Sequence, residues 1–291
     1  MTERRAVVTG ATGGIGLAVA RRLARAGYPT VLVGRNGSRL ETARAAVLAA
    51  EPRAVVELEL ADLSLLADVR RLAARLAVHP PGVVVSNAAV IADVGDVTAE
   101  GLQRTLVTNH LAPYLLLRSL VGPIGDRPAR FVVVGADPGA LRRAPVDLDD
   151  LECRRGRGLG PLPSLRPFVA YGRTKNMNTM FVRAFARRLA GTSITVNGAH
   201  PGVVKGTGLG AGTARGALRL LRLTAQLNPW LGGPDDGADT PAWLATSPDV
   251  AGVTGEFFVR RRAVETPSHT TDVARCDRLW HESARLVDVE P

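Results

Sequence analysis

Short apolar runs alternate with stretches of 3.6-residue periodicity along most of the chain. Ala6 to Thr9, Pro29 to Val33, Ala54 to Leu58, Val83 to Val85, Arg130 to Val134, Ser193 to Asn197 and Glu256 to Val259 have strand length and strand composition. Their near-continuous apolar character belongs to strands buried on both faces of a parallel sheet. Between them, apolar stripes predict helices over Leu17–Ala24, Arg39–Ala50 and the segment carrying Leu66, Val69, Leu72 and Leu76. Ser64 is the expected N-cap of that third helix. A further helix runs from Thr98 through Leu102, Leu106, Asn109 and Leu111 to Leu120, and a long one covers Phe168–Ala190. Gly237–Ala245 and the tail with Leu279, Trp280 and Leu286 complete the set. Strands alternating with helices predict an α/β fold: one doubly wound parallel sheet of about seven strands, forming a single domain over 1–291. Residues 138–167, rich in Pro, Gly and Arg, are a long irregular connection of the kind that is often functional. Residues 203–234, with Leu218, Leu220, Leu221, Leu223 and Trp230, are expected to form a helical flap over a pocket.

A hydrophobic content of 46% over 291 residues is ample for one large core. The net charge of +10 comes almost wholly from arginine, since Lys175 and Lys205 are the only lysines. The arginines are spread over polar helix faces and aromatics are 4%, which argues against a nucleic-acid stripe. Weak attraction for anionic ligands is what remains. Cys153 and Cys276 fit no metal-ligand spacing, so no metal is expected, and so low a cysteine count suits a reducing cytoplasm. No apolar run reaches membrane-spanning length. The expectation is a soluble cytoplasmic protein whose partner is neither a nucleic acid nor a membrane.

The candidate chemistry starts at the first turn. Strand, Gly10-Ala11-Thr12-Gly13-Gly14-Ile15-Gly16 and helix follow in the order of a pyrophosphate cradle. Glycines let backbone approach the phosphates, and the helix N-terminus offers free N–H groups and partial positive charge. The second strand ends at Gly34-Arg35, where an NAD site would carry a carboxylate. Arg35, with Arg39 one turn on, suits a ribose phosphate instead, so NADP is expected over NAD. Asp62 either contacts an adenine or serves the local cap. Small residues at Ser86-Asn87-Ala88-Ala89 admit a flat ligand, and Asn109 holds a water, distorts its helix, or is simply a hydrogen-bonded core asparagine. Tyr171 and Lys175 share a helical face. An ammonium beside a phenol should lower the phenol's pKa toward working pH, making a proton donor and acceptor for an alcohol–carbonyl pair. His200 is expected to be a hydrogen-bonded structural histidine.

With these residues in place, the chain resembles the short-chain dehydrogenase/reductase superfamily, and within it the retinol-dehydrogenase-like group. The cofactor motif falls on Thr9, Gly10, Gly14 and Gly16, the adenine-side pair on Asp62-Leu63, and an altered Asn-Asn-Ala-Gly motif on Ser86 to Ala89. The helix asparagine is Asn109, the Tyr-x-x-x-Lys pair Tyr171 and Lys175, and the Pro-Gly turn Pro201-Gly202. Asp147 to Leu151 and Gly255 to Phe258 also look like the retinol-dehydrogenase-like group. The resemblance implies a Rossmann-like fold and a cofactor held by Gly10, Thr12, Gly13, Gly14, Ile15, Gly16, Arg35, Asp62, Leu63, Asn87, Ala88, Tyr171, Lys175, Pro201, Gly202 and Val204. It implies that Tyr171 exchanges the proton, Lys175 holds the nicotinamide ribose and acidifies Tyr171, and Asn109 orders a relay water. Pairing into dimers through the helices of Asn109 and Tyr171 is also implied.

One departure stands out. Where the family places a catalytic serine after the fifth strand, this chain reads Val134-Gly135-Ala136-Asp137. Loss of such a donor typically lowers the rate about 10²–10³-fold. A substrate hydroxyl or Thr174 is a candidate substitute. The family's threonine after Pro-Gly also comes one residue late, at Thr207. The first functional expectation is an NADP-dependent oxidoreductase acting on an apolar alcohol or ketone. The alternative is a redox-neutral cyclase, isomerase or dehydratase using Tyr171 as acid or base. A catalytically silent binding protein is the third reading, against which the intact Tyr171, Lys175 and Asn109 set argues.

Overall fold

Alternation along each central strand builds two cores from one sheet. Val7, Val31, Val33, Val84, Phe131, Val133 and Val196 point to one face, and Ala6, Val8, Leu32, Val83, Val85, Val132 and Val134 to the other. Each fully buried side chain of this size contributes about 1.5–3 kcal/mol. In the computed structural model, which describes residues 5–202, 204–205 and 232–291, these strands lie in one eight-stranded sheet of order β3-β2-β1-β4-β5-β6-β7-β8. They are β1 Ala6–Thr9, β2 Thr30–Gly34, β3 Val56–Leu60, β4 Val83–Ser86, β5 Ala129–Val134, β6 Ile194–His200, β7 Phe257–Val259 and β8 Arg262–Ala263. Neighbours are parallel except for β7 and β8, an antiparallel pair. The sequence-predicted strands are all present. The eighth, two exposed residues long, has no apolar run to announce it.

Helices α1 Gly14–Arg25 and α2 Gly37–Ala50 cover one face; α3 Leu66–Val78 lies on the other. Ser64 is not the cap of α3. Its hydroxyl donates to Asp62 Oδ1 at 2.8 Å. The free N–H groups of Leu66 and Ala67 instead bind the Glu100 carboxylate, at 2.8 and 3.0 Å. Helix α4 runs as Arg104–Leu106, a π-helical turn Val107–Leu111, and Ala112–Ile124. The connection at 138–167 contains two one-turn helices, Pro138–Leu141 and Pro163–Leu165. It leads to the long helix α5 Arg166–Arg188; α6 Pro234–Thr246 and α7 Val273–Leu286 follow. The expected flap falls on residues that, from 206 to 231, lie outside those described.

The tail helix α7 packs on α4 and α5. Trp280 meets Tyr114 with ring centroids 5.0 Å apart, Phe185 at 5.6 Å and Phe181 at 6.0 Å. Tyr114 donates its hydroxyl hydrogen to the Trp280 carbonyl at 2.9 Å, and Asp277 receives both Arg187 and Arg188. Among the described residues no helix is long and apolar enough to cross a membrane.

Candidate active site

The strand order reverses between β1 and β4, so their carboxyl ends open a crevice where α/β proteins bind ligands. Thr9 staples the two lips: its Oγ1 accepts from the backbone N–H of Asn87 at 3.0 Å and of Ala88 at 3.1 Å. The Asn87 amide donates back to the Thr9 carbonyl at 3.1 Å. Gly10 has φ +66°, and a Cβ there would stand 2.9 Å from Ala88 Cα. A Cβ on Gly16 would stand 2.3 Å from the Gly10 carbonyl oxygen. A side chain at Gly10 would collide with the Asn87-Ala88 lip, and one at Gly16 would push α1 off the turn. The N-terminus of α1 has no side-chain cap and no acidic residue in its first turn, so its N–H groups are free for an anion.

Arg35 and Arg39 are exposed and form no ion pair among the described residues. Arg39 hangs over the turn, its Nη2 3.9 Å from the position a Cβ on Gly13 would take. A Cβ on Gly34 would stand 2.6 Å from Thr12 Cγ2, so the second strand ends against the cradle itself. Ile15, Val204 and the Pro201 carbonyl converge on Gly237, where a Cβ would approach them to 2.9, 2.7 and 3.2 Å. Gly237 is a contact no sequence motif announced, and it seats α6 against the cradle and the Pro201-Gly202 turn. An uncapped helix end, glycines that permit close approach and two unpaired guanidiniums are a donor set that fits a phosphorylated dinucleotide.

Asp62 Oδ1 accepts from the Ser64 N–H at 2.9 Å as well as from its hydroxyl, and Leu63 is buried in the α3 core. Asp62 therefore orders the turn that leads into α3.

Asn109 sits within the π-helical turn, an irregularity common at functional sites. Its Oδ1 accepts from Val90 N–H at 2.8 Å. Its Nδ2 donates to the Val90 carbonyl at 3.0 Å and to Thr174 Oγ1 at 3.1 Å. The next residue, His110, is fully buried between Asn178 Oδ1 at 3.1 Å and Ser283 Oγ at 2.8 Å, and Asn178 donates to the Asn109 carbonyl at 2.9 Å. Burial pushes the His110 pKa down to about 4, so it is a neutral link between α7 and the Asn109 turn. Thr174 cannot stand in for the missing serine, because it is buried and its hydroxyl donates to the Tyr171 carbonyl at 2.7 Å.

Lys175 is buried and donates from Nζ to the Val134 carbonyl at 2.9 Å; the same atom lies 5.5 Å from the Tyr171 ring centroid. The pair expected from the sequence is therefore brought together, at the end of β5. Its electrostatics differ from the expectation. Burial raises the Tyr171 phenol to about 12 and lowers the Lys175 ammonium to about 8. Desolvation, which penalises each charged form, is the cause of both shifts; Lys175 is buried and Tyr171 partly so. The phenol is held as a proton donor, not poised as a phenolate.

Ala136 follows β5, with Asp137 beside it at the amino end of the one-turn helix Pro138–Leu141. His200 ends β6 and is buried, and its Nδ1 has no hydrogen-bond partner among the described residues, where the sequence reading expected a hydrogen-bonded structural histidine. No group of three or more His, Cys, Asp or Glu among the described residues is arranged to hold a metal.

The sequence model for short chain dehydrogenase matches residues 4–142, which span the glycine turn, Asn87, Asn109 and Ala136. Over 98% of this chain and 92% of its own length, a Streptomyces sp. (strain C5) protein named as a candidate daunorubicin C-13 ketoreductase, DnrU, is 34% identical. Human retinol dehydrogenase 14 is 30% identical over 99% of this chain and 87% of its own. The crystal structure of a blue fluorescent protein from a metagenomic library, in complex with NADPH, superposes with a TM-score of 0.63. It is 26% identical and the match covers 88% of this chain and 95% of that one. At these identities and coverages the chain belongs to the short-chain dehydrogenase family, in its retinol-dehydrogenase-like group.

Proposed function

We propose that this protein is an NADP-dependent dehydrogenase/reductase that interconverts an apolar alcohol and the corresponding ketone. The observation that carries the reading is the position of Lys175 Nζ, on the Val134 carbonyl at the carboxyl edge of the sheet and beside the Tyr171 ring. When bound, the dinucleotide accepts or donates the hydride. The chain's residues do the rest. The cradle of Gly10, Thr12, Gly13, Gly14, Ile15 and Gly16 binds the pyrophosphate, and Arg35 and Arg39 take the ribose phosphate. Asp62 and Leu63 wall the adenine side, while Asn87, Ala88, Pro201, Gly202 and Val204 line the nicotinamide side. Tyr171 holds the proton at its phenol oxygen, Lys175 presents a cation to the ribose hydroxyls, and Asn109 fixes the turn that supports both.

NADP is favoured because two unpaired guanidiniums stand where an NAD site has a carboxylate, and because a structural relative was solved with NADPH. A single domain in a reducing cytoplasm is the expected setting, and both cysteines are free and buried. Helix α7 covers the faces of α4 and α5 through which family dimers pair, so this chain is proposed to be monomeric at that surface. The test is absorbance at 340 nm with NADP(H) and a panel of lipophilic ketones and secondary alcohols. Consumption or formation of NADPH supports the reading; a flat trace with every compound ends it.

Ala136 favours one second reading, a redox-neutral reaction in which Tyr171 acts as the acid. That reading requires product to form with no change in NADPH, and to vanish in Tyr171→Phe.

A further inference from the structure

The ends of β5 and β6 carry one more titratable pair. Asp137 is fixed by its own cap: Oδ1 accepts from the Ala140 N–H at 3.0 Å. Its Oδ2 then stands 3.9 Å from Nε2 of His200. His200 is 9% exposed, and its Nδ1 is buried with no partner among the described residues. A buried polar atom kept without a partner in a native site calls for an explanation. The surrounding backbone locates it. Gly135 donates its N–H to the Ala199 carbonyl at 2.8 Å, so His200 adjoins the Gly135-Ala136-Asp137 segment. Lys175 Nζ binds the Val134 carbonyl, one residue before Gly135. The imidazole therefore borders the position where the family's serine hydroxyl is missing.

We propose that His200, oriented by Asp137, is the hydrogen-bond partner of the substrate oxygen in place of the absent serine, accepting the hydroxyl hydrogen of an alcohol through Nδ1. This rests on the alcohol–ketone reading above. The negative charge of Asp137, 3.9 Å from Nε2, favours the imidazole proton on that nitrogen and leaves the lone pair on Nδ1. Burial lowers the His200 pKa, Asp137 opposes that shift and Arg260 reinforces it, so the ring starts neutral. A serine hydroxyl donates or accepts equally well; this imidazole accepts. The site thus matches an alcohol, with Tyr171 donating to the oxygen and Nδ1 taking the hydroxyl hydrogen. On oxidation the carbinol carbon loses its hydride to the oxidised dinucleotide. The O–H bond breaks, its electron pair completes the carbonyl, and its proton moves to Nδ1, with Asp137 balancing the imidazolium. Asp137 is a positioning residue in this scheme.

Two measurements test it. In long-range ¹H–¹⁵N spectra at pH 8, with His200 assigned through His200→Gln, the ring should be the Nε2–H tautomer and should shift in Asp137→Asn. An Nδ1–H tautomer, or no response to Asp137→Asn, overturns the proposal. With NADP and a lipophilic secondary alcohol such as 1-tetralol, His200→Gln should lower kcat about 100-fold at nearly unchanged KM. Adding Ala136→Ser to His200→Gln should restore at least tenfold. Asp137→Asn, at an exposed position that keeps its cap, should lower kcat about tenfold even if His200→Gln folds poorly. Wild-type turnover with undiminished rates in His200→Gln and Asp137→Asn overturns the inference and leaves the alcohol–ketone reading standing. Absence of wild-type turnover with every alcohol and ketone ends both.

Discussion

Lys175 is tied to Val134: its Nζ donates a 2.9 Å hydrogen bond to that carbonyl from a site closed to water. The lysine thereby becomes a pH sensor of stability. Its folded pKa is about 8 against an ordinary value of 10.5. Between those values the unfolded chain holds a proton that the folded chain has released, so stability rises with pH across that window. Below pH 8 the full penalty applies. From pH 7 to 9.5 the wild type should gain about 2 kcal/mol relative to Lys175→Met, whose lost hydrogen bond is the same at every pH. Urea melts of both proteins at the two pH values measure this. Parallel pH dependences would show that the ammonium is not desolvated.

Arg35 and Arg39 lie exposed beside the glycine turn with no carboxylate partner among the described residues. A charge-assisted bond to phosphate is worth about 1.5–3 kcal/mol. Arg35→Asp should weaken NADPH binding tenfold or more and leave NADH binding within about threefold, read by calorimetric titration. Equal losses for the two cofactors would remove the guanidinium from the 2′-phosphate site.

Asn109 clamps Val90 through both its backbone groups and reaches Thr174. In Asn109→Ala three bonds vanish, one buried and two partly so, leaving donors and acceptors unpaired at about 1–3 kcal/mol for each unsatisfied buried group. The variant should lose at least about 2 kcal/mol in chemical denaturation as well as its activity. A fully stable but inactive Asn109→Ala would mean that the residue serves chemistry alone.

The sheet was legible because parallel strands buried on both faces print as apolar runs, and the glycine turn because close backbone approach admits nothing larger at Gly10 and Gly16. Other features had no local signature. The cap of α3 comes from Glu100, thirty-four residues from Leu66, while Ser64 looked like the cap by position alone. The antiparallel edge β8 is two exposed residues. Tyr171 and Lys175 were found by spacing, but the direction of the phenol's shift depends on burial, and no i, i+4 pattern reports burial. Equally hidden was the role of His200, whose partner Asp137 arrives from another strand.

Trp280 links the tail helix to the site's scaffold, packing on Tyr114, Phe181 and Phe185. Removing a buried large aromatic costs about 3–5 kcal/mol. Trp280→Ala should therefore lower the midpoint of unfolding strongly. It should also loosen α7 from the faces it covers on α4 and α5. Light scattering should find the wild type monomeric and the variant prone to self-association. A wild-type dimer disrupted by substitutions on the exposed side of α7 would place the interface elsewhere.

Ala136 is the position where a single atom should change the chemistry. The alanine offers no hydrogen bond, whereas Tyr171 remains protonated well above neutral pH and supplies one donor to a substrate oxygen. A ketone oxygen developing negative charge gains from two donors, each typically worth about 10²–10³ in rate when placed in such a site. Ala136→Ser adds the second without displacing any partner, since Ala136 is only partly buried. Ketone reduction should rise tenfold or more at 340 nm, mainly in kcat because the bond strengthens as charge develops. Alcohol oxidation should change less, since the hydroxyl already has an acceptor in His200. Equal gains in both directions would mean that the serine merely improves binding. No gain in either would move the substrate oxygen away from Ala136 altogether.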